Sequence, residues 1–458
     1  MKKNYFLKQA AIVVLFVNIL TAQTVSNNTE LQAAITNASA GSIIVLANGT
    51  WTDTFINVNK NGSKENPIII KAESPGNVFL EGNSRVAMGG EYIKVEGIIF
   101  RNPSNLIANS ATIEPVIKFR DANSNVCNNC EISNIKIDSY NGTSEQSMLT
   151  FKWVLLYGQK NEISYCSFIG KYGIGSVIND NREVAQENYT KIHHNYFSDR
   201  IFVGNYVDQN NDQDAIRIGN SSTSLSDSYT EVYDNLFNNW AGEIEVISNK
   251  SGHNKYYNNT FRDYSGSLTL RHGNNCEVFN NFFFANNKEF SGGIRVVGEN
   301  HTIYNNYFEA VNSTKSSAAG GGTSSNLGGI NIIKGRVNTP LNGYNQVKQL
   351  TVVNNTFVNC DFGIRVGGGS ESLPPLNLTV ANNIFIMSSS TKKAVDQIIS
   401  ADPSSPYTYI GNMRQSGTWS LNGNLNGNQI VNNDLLTSSP DFYRINSNSP
   451  AINAGIGS

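Results

Sequence analysis

The feature that most constrains this chain is a short apolar run ending in Asn-Asn-x-Phe or a close variant. It recurs eight times, ending at Phe168, Phe197, Phe237, Phe261, Phe283, Phe308, Phe357 and Phe385, with successive spacings of 29, 40, 24, 22, 25, 49 and 28 residues. Units of the shortest spacings are too small to bury their own apolar face, so each must stack on the next. Longer spacings read as one coil plus an insertion, or as two coils. Stacking would line up phenylalanines and aliphatics inside and asparagines at a turn. The pattern predicts an all-β, single-domain, right-handed parallel β-helix. A β-propeller would need blades of about 40 to 45 residues, and leucine-rich repeats fail for want of leucines.

Composition agrees: 15% of residues are charged and Gly outnumbers Pro by 39 to 11, which favours strands and tight turns over helical bundles. The ends fit a solenoid. In "NNTELQAAITNA", Asn27 stands three residues before Glu30, and Leu31, Ala34, Ile35 and Ala38 follow at helical spacing, which predicts a short capping helix over the first coil. The final stretch "SSPDFYRINSNSPAINAG" is turn-rich and lacks the repeat, as a terminal coil would.

Lys2, Lys3 and Lys8 precede the apolar run Ala10 to Leu20 and small residues ending near Ala22, the pattern of a secretory signal over 1–22 whose cleavage would leave a single β-helix domain, 23–458. The run is too short to span a bilayer, so the expectation is a secreted or periplasmic protein with no membrane span. Without that segment the chain has 31 basic and 36 acidic residues, net −5. Such a balance argues against a nucleic-acid partner and means that an acidic substrate must be drawn by a local cluster of cations. Five cysteines at irregular positions do not make a disulfide framework. Cys127 and Cys130 form a lone CxxC without the second pair or His of a zinc site, so buried or loosely paired thiols are expected.

Between the repeats runs a second strand bearing basic residues: Arg217, Lys250, Arg271 with His272, Arg295, Lys334 with Arg336, and Arg365. One cation on nearly every coil, mostly without an adjacent acid, makes a line of positive charge suited to a polymer with a carboxylate on each sugar, whereas a merely solvated face would mix in acids. Lys250 and Arg271 are 21 residues apart, about one short coil, and should sit side by side.

In "GEIEVISNKSG" Glu243 and Glu245 are two apart on a strand-like run, so their side chains should leave one face about 7 Å apart. Two like charges facing one way call for a cation. A hard divalent ion, calcium before magnesium, suits them, with Asn211 a further oxygen donor and Asp214 assisting. Pairing of both glutamates with neighbouring arginines satisfies the same spacing. A cation and arginines that neutralise a uronate would acidify its C5 proton; a base would remove it, and the C4 glycosidic oxygen would leave as an enolate-like intermediate collapses. Lys250 is the candidate base because cationic neighbours depress a lysine pKa. Arg271 would stabilise developing charge or help the leaving oxygen, with His272 assisting.

These segments resemble the polysaccharide lyases of family 6, which include alginate lyases and chondroitinase B. The likeness runs from "AGSIIVLANGTWTD" and "KENPIIIKAESPGNVFLEG" through "AIRIGNS", "EIEVISNKS" and "LTLRHGN" to "GGIRVVGENHTIYNNYFE". It implies Lys250 as base, Arg271 as its partner, and a calcium ion held by Asn211, Glu243 and Glu245. "GGIRVVG" looks more like the alginate members, so Arg295 is similar to an arginine that grips substrate there, and alginate is the expected partner; Arg217 and Arg365 are the other expected substrate contacts. "NNDQDAIRIG" departs from the glycine-richer form usual in the family. The chain also lacks the second β-helical domain of some larger members. Alternatives are a dermatan sulfate or chondroitin lyase of the same family, or a glycan-binding β-helix without catalysis. A polygalacturonase-like hydrolase would need clustered aspartates, and only Asp212 and Asp214 qualify.

Overall fold

The computed structural model describes residues 22–387, 389–421, 427–431, 433–437 and 442–457. The expected secretory signal lies outside them except for its last residue, as does the start of the terminal coil. Three parallel sheets of fourteen strands each run the length of the described chain. Within each sheet a strand pairs with the strand one coil later, so the chain winds as a right-handed parallel β-helix, the hand that parallel crossovers adopt. The fold class expected from the repeat is the one observed.

Each position of the repeat has a separate physical task. In Asn-Asn-x-Phe the first residue turns the corner in the left-handed region: His194, Asp234, Asn258, Asn280, Asn305, Asn354 and Asn382 have φ between 53° and 57°. Asn and Asp tolerate that region better than other side-chain-bearing residues, which explains the choice. The second Asn points inward. Its Oδ1 accepts the backbone N–H of the equivalent Asn one coil earlier, as in Asn259 N to Asn281 Oδ1 at 2.9 Å and Asn281 N to Asn306 Oδ1 at 3.0 Å. Its Nδ2 donates to a strand carbonyl, so corner backbone groups that would otherwise be orphaned are paired. The phenylalanine two residues on is fully buried, and from Phe168 to Phe385 the rings stack at centroid spacings of 4.6 to 5.1 Å, the separation of parallel strands.

The glycine before "IRV" serves the same ladder. A Cβ on Gly293 would stand 2.3 Å from the Phe308 ring, so only glycine lets the ring lie flat there. At the N-terminal end the helix Asn28–Asn37 caps the first coil with Leu31, Ala34 and Ile35 buried. Asn27 Oδ1 accepts the Glu30 N–H, while Glu30 Oε2 accepts the Ser26 N–H. The cysteines differ in one respect from the expectation of thiols. Cys127 and Cys130 are joined by a disulfide, because Asn129 turns through φ 54° and brings their Cα atoms to 6.0 Å; Cys166, Cys276 and Cys360 are free and buried.

One sheet positions the site. Its inward row runs Ile117, Val154, Ile178, Ile216, Ile247, Leu268, Ile294, Ile330, Ile364 and Val395, all fully buried apolar residues. The next residue of each strand points outward and forms a polar row: Lys118, Leu155, Asn179, Arg217, Ser248, Thr269, Arg295, Asn331, Arg365 and Asp396. The asparagine ladder gives a direct test. Asn281→Ala leaves the Asn259 N–H and the Tyr256 carbonyl without these partners, a loss expected to be about 3 kcal/mol, whereas Asn280→Gly, at φ 56°, should change stability by less than about 0.5 kcal/mol. Equal shifts in urea unfolding midpoints for the two variants would contradict this division of labour.

Candidate active site

Arg217, Arg295 and Arg365 share the outward row, as the charge pattern predicts. Their charges are not left open to solvent. Arg217 Nη1 lies 2.7 Å from Asp212 Oδ1 and Nη2 2.5 Å from Asp214 Oδ2; Arg295 Nη1 lies 3.2 Å from Glu245 Oε1. Arg365 is buried: Nη1 donates to the carbonyls of Ser324 and Leu327, Nε lies 3.5 Å from Asp396, and the guanidinium covers the Phe362 ring. Arg365 therefore anchors a loop.

Asp214, Glu243 and Glu245 converge, each offering a carboxylate oxygen within 4.8 Å of the others, and all three are buried. Sheet register explains why it is Asp214 that meets the glutamates. Ile216 pairs with Ile247, an offset of 31 residues, and the Ala215 N–H bonds to the Val246 carbonyl, so Asp214 falls beside Glu245. Asn211 is exposed, whereas the three carboxylates are buried.

Arginine pairing satisfies only part of the triad. Glu245 has Arg295 and Asp214 has Arg217, but among the described residues Glu243 makes no ion pair and accepts only the Gln213 N–H at 2.7 Å, and Asp214 Oδ1 is buried without a hydrogen-bond partner. Burial, with Asp214 and Glu245 alongside, pushes the Glu243 carboxyl well above the usual range. Burial likewise raises Asp214 against the pull of Arg217. For Glu245 burial is outweighed by Arg295 and Lys250, and its pKa falls. A cation would relieve the crowding of like charges that raises Glu243. The residues fit a hard divalent ion: oxygens on opposite sides of calcium lie about 5 Å apart, and the donors are all carboxylate oxygen.

Lys250 ends the strand Glu245–Lys250 on its outer face and, among the described residues, makes no ion pair. Burial and then Arg217 lower its pKa from the model-peptide 10.5, with Glu245 and Asp214 opposing. A register shift after Asn249 sets Lys250 opposite His272, not Arg271, which a uniform coil of 21 residues would have placed there. Arg271 is pinned by Gly343 O at 2.7 Å and Asn342 O at 3.1 Å, and its Nη1 lies 2.8 Å from His272 Nε2. The His272 ring is buried between Ser221 Oγ and the Gly343 carbonyl; burial and then Arg271 push its pKa down to about 4, so it is neutral near pH 7.

Two residues escaped the sequence pattern. Tyr344 lies beneath Arg271, 4.2 Å from ring centroid to guanidinium carbon, and its hydroxyl accepts from Arg295 Nη2 at 3.1 Å. It sits in the insertion behind the 49-residue spacing, whose length was the only hint. Lys152 makes no ion pair, and burial lowers its pKa while Asp212, Arg217, Asp214 and Lys250 are close enough to act on it. Nothing in its local sequence marks it. Arg336 pairs with Glu371 at 2.9 Å, its backbone N–H donates to the Tyr344 carbonyl, and its charge is close enough to lower the Arg271 pKa.

The acid triad, the cationic row and Lys250 thus lie on one sheet face of a parallel β-helix. Residues 25–434 match the family described as chondroitinase B, and the chain belongs to that family. Among solved structures, the PL6 family alginate lyase AlyGC superposes with a TM-score of 0.82 at 30% identity, covering 93% of this chain; this chain spans 56% of that one. A mannuronic acid specific polysaccharide family 6 lyase from human gut microbiota gives 0.75 at 26% identity, covering 90% and 91% of the two chains. The polysaccharide lyase Pedsa3628 from Pseudopedobacter saltans gives 0.69 at 26%, covering 92% and 99%. A search of curated protein sequences returned no match.

The triad predicts a cation response. Calcium at about a hundred times its Kd should stabilise the wild type by roughly 2.7 kcal/mol, read as a rise in Tm that a chelator reverses. Glu243→Gln should raise Tm in the absence of calcium, by removing one of three crowded charges, and abolish most of the calcium shift. A calcium shift left intact in Glu243→Gln would place any bound ion elsewhere.

Proposed function

We propose that the protein is a calcium-assisted polysaccharide lyase that cleaves alginate by β-elimination. The observation that carries this reading is Lys250, which among the described residues makes no ion pair, has a lowered pKa and shares a sheet face with the triad and with Arg271. In its neutral form Lys250 accepts the C5 proton of a uronate. The electron pair passes into the carboxylate as an enolate, whose charge Arg271 and Arg295 face from the groove floor. The C4–O bond then breaks, leaving a C4=C5 double bond on one fragment. The departing oxygen takes a proton, with the Arg271 guanidinium as the nearest fixed donor and neutral His272 and the carbonyls of Asn342 and Gly343 holding that guanidinium in place. When bound at Asp214, Glu243 and Glu245, calcium would supply positive charge that acidifies the C5 proton.

Alginate is favoured over dermatan sulfate by the alginate lyases among the structural relatives. The family description as chondroitinase B keeps dermatan sulfate as the second substrate to offer. We further propose that residues 1–22 direct export and that 23–458 is the working domain, so that the purified native protein should begin after Ala22. Among the described residues no helix is long and apolar enough to cross a membrane.

The reading is tested by following the near-ultraviolet absorbance of the unsaturated uronate. Wild type offered alginate should produce it, and Lys250→Ala should lose about a thousandfold in kcat. Since the base must be neutral, kcat/KM should rise with pH through the Lys250 pKa, below 10.5, and show no limb from His272 near neutrality. Absorbance growth on dermatan sulfate alone would reassign the substrate, and none on either polymer would leave a glycan-binding solenoid.

A further inference from the structure

The sheet that carries Lys250 continues toward the N-terminal end of the solenoid, where its outer face holds a second group of cations. Arg85 and Ala87 are two apart on the strand Arg85–Glu91 and leave the same face. Lys118, on the next coil, pairs in register with Ala87. The Ala87 methyl group is thus a low floor between a guanidinium and an ammonium. Around them is a cavity of about 340 Å³ whose other walls include Phe55, Ile107 and Pro115.

The charges of this cradle are only partly spent. Arg85 lies over the Phe55 ring at 3.9 Å, its Nη1 is 3.4 Å from the Asn83 carbonyl, and Glu114 is close enough to act on its charge, though among the described residues it makes no ion pair. For Lys118 the nearest acid is Glu114 at 3.9 Å, on an exposed side chain at the rim. The other charged groups lining the cavity are committed elsewhere. Arg120 is held by Glu183 at 2.6 Å, and the Asp121 carboxylate accepts from the backbone of Asn123 and Asn125 and from Asn125 Nδ2.

The cradle is continuous with the catalytic floor. Lys118 stands in the outward row that passes through Leu155, Asn179 and Arg217 to Ser248, on the Lys250 strand. Midway, Asn179 is buried, and among the described residues its Nδ2 has no hydrogen-bond partner. Lys152, also without an ion pair, borders the same stretch.

We propose that Arg85, Ala87 and Lys118 form a distal subsite that grips a carboxylate of a polyuronate chain remote from the bond broken at Lys250. Four strand spacings separate Lys118 from the Lys250 strand, about 19 Å, comparable with roughly four linked sugar rings. The chemical identity of the chain rests on the lyase reading above; the existence of the subsite does not require turnover. Its consequence is a preference for long chains over short ones, expressed in KM.

The experiment compares a uronate trimer with a decamer on the full-length protein, using Arg85→Gln/Lys118→Gln and, because it spares the Arg85–Phe55 stack, Lys118→Glu. In both variants the ratio of kcat/KM on decamer to that on trimer should fall about tenfold, through KM and not kcat. Calorimetry of decamer binding in a Lys250→Ala background should show a matching rise in Kd. A ratio that is unchanged, or an equal loss on trimer and decamer, overturns the subsite. If the wild type eliminates nothing from any polyuronate, the lyase reading falls, and calorimetry alone decides. A weaker decamer Kd in the variants then supports the subsite, while an unchanged Kd or no decamer binding overturns it.

Discussion

Everything in this molecule depends on stacking at the spacing of parallel strands. That spacing sets the separation of the phenylalanine rings, lets one asparagine amide reach the next, and places residues of successive coils side by side on the same face. The asparagine ladder is what makes such stacking affordable at the corners, where strand hydrogen bonds are interrupted. Without Oδ1 and Nδ2 to pair them, a row of buried backbone groups would stand unsatisfied, each costing about 1 to 3 kcal/mol.

The same regularity produces the site. A flat parallel sheet repeats its outward residue every coil, so charges far apart in sequence come into file. Arg217, Arg295 and Arg365 share one row although 148 residues separate the first from the last. Yet the row is not a uniform strip of free cations. Asp212 and Asp214 take Arg217, Glu245 takes Arg295, and Asp396 takes Arg365. What remains available is local: Lys250, the donors of Arg271 not used by Asn342 and Gly343, and an acid triad that is short of positive charge. Function in this frame is therefore argued from the imbalance at a few coils.

The irregularities carry as much as the repeat. The register shift after Asn249 moves Lys250 opposite His272, and the insertion behind the longest spacing brings Tyr344 and two backbone carbonyls onto Arg271. Both are departures from a uniform coil, and both fall where the chemistry is proposed. A second shift in the same strand, between Glu245 and Ile247, falls at the acid triad.

The repeat by itself determined the β-helix, because a unit of about 22 to 25 residues has no way to bury its phenylalanine except against a copy of itself. It also marked the capping helix, the outward basic residues and the paired glutamates, since alternation along a strand is legible in one dimension. Tertiary structure decided what the coil length left free. The offset of 31 residues across one coil, far from the shortest spacing, brings Asp214 to Glu243 and Glu245. Insertions of unknown path bring Tyr344 under Arg271 and Lys152 beside the acid cluster. The turn at Asn129 closes Cys127 on Cys130. In each case the partner is chosen by how many residues loop out between strands, a quantity that local pattern does not encode because loops carry no periodicity.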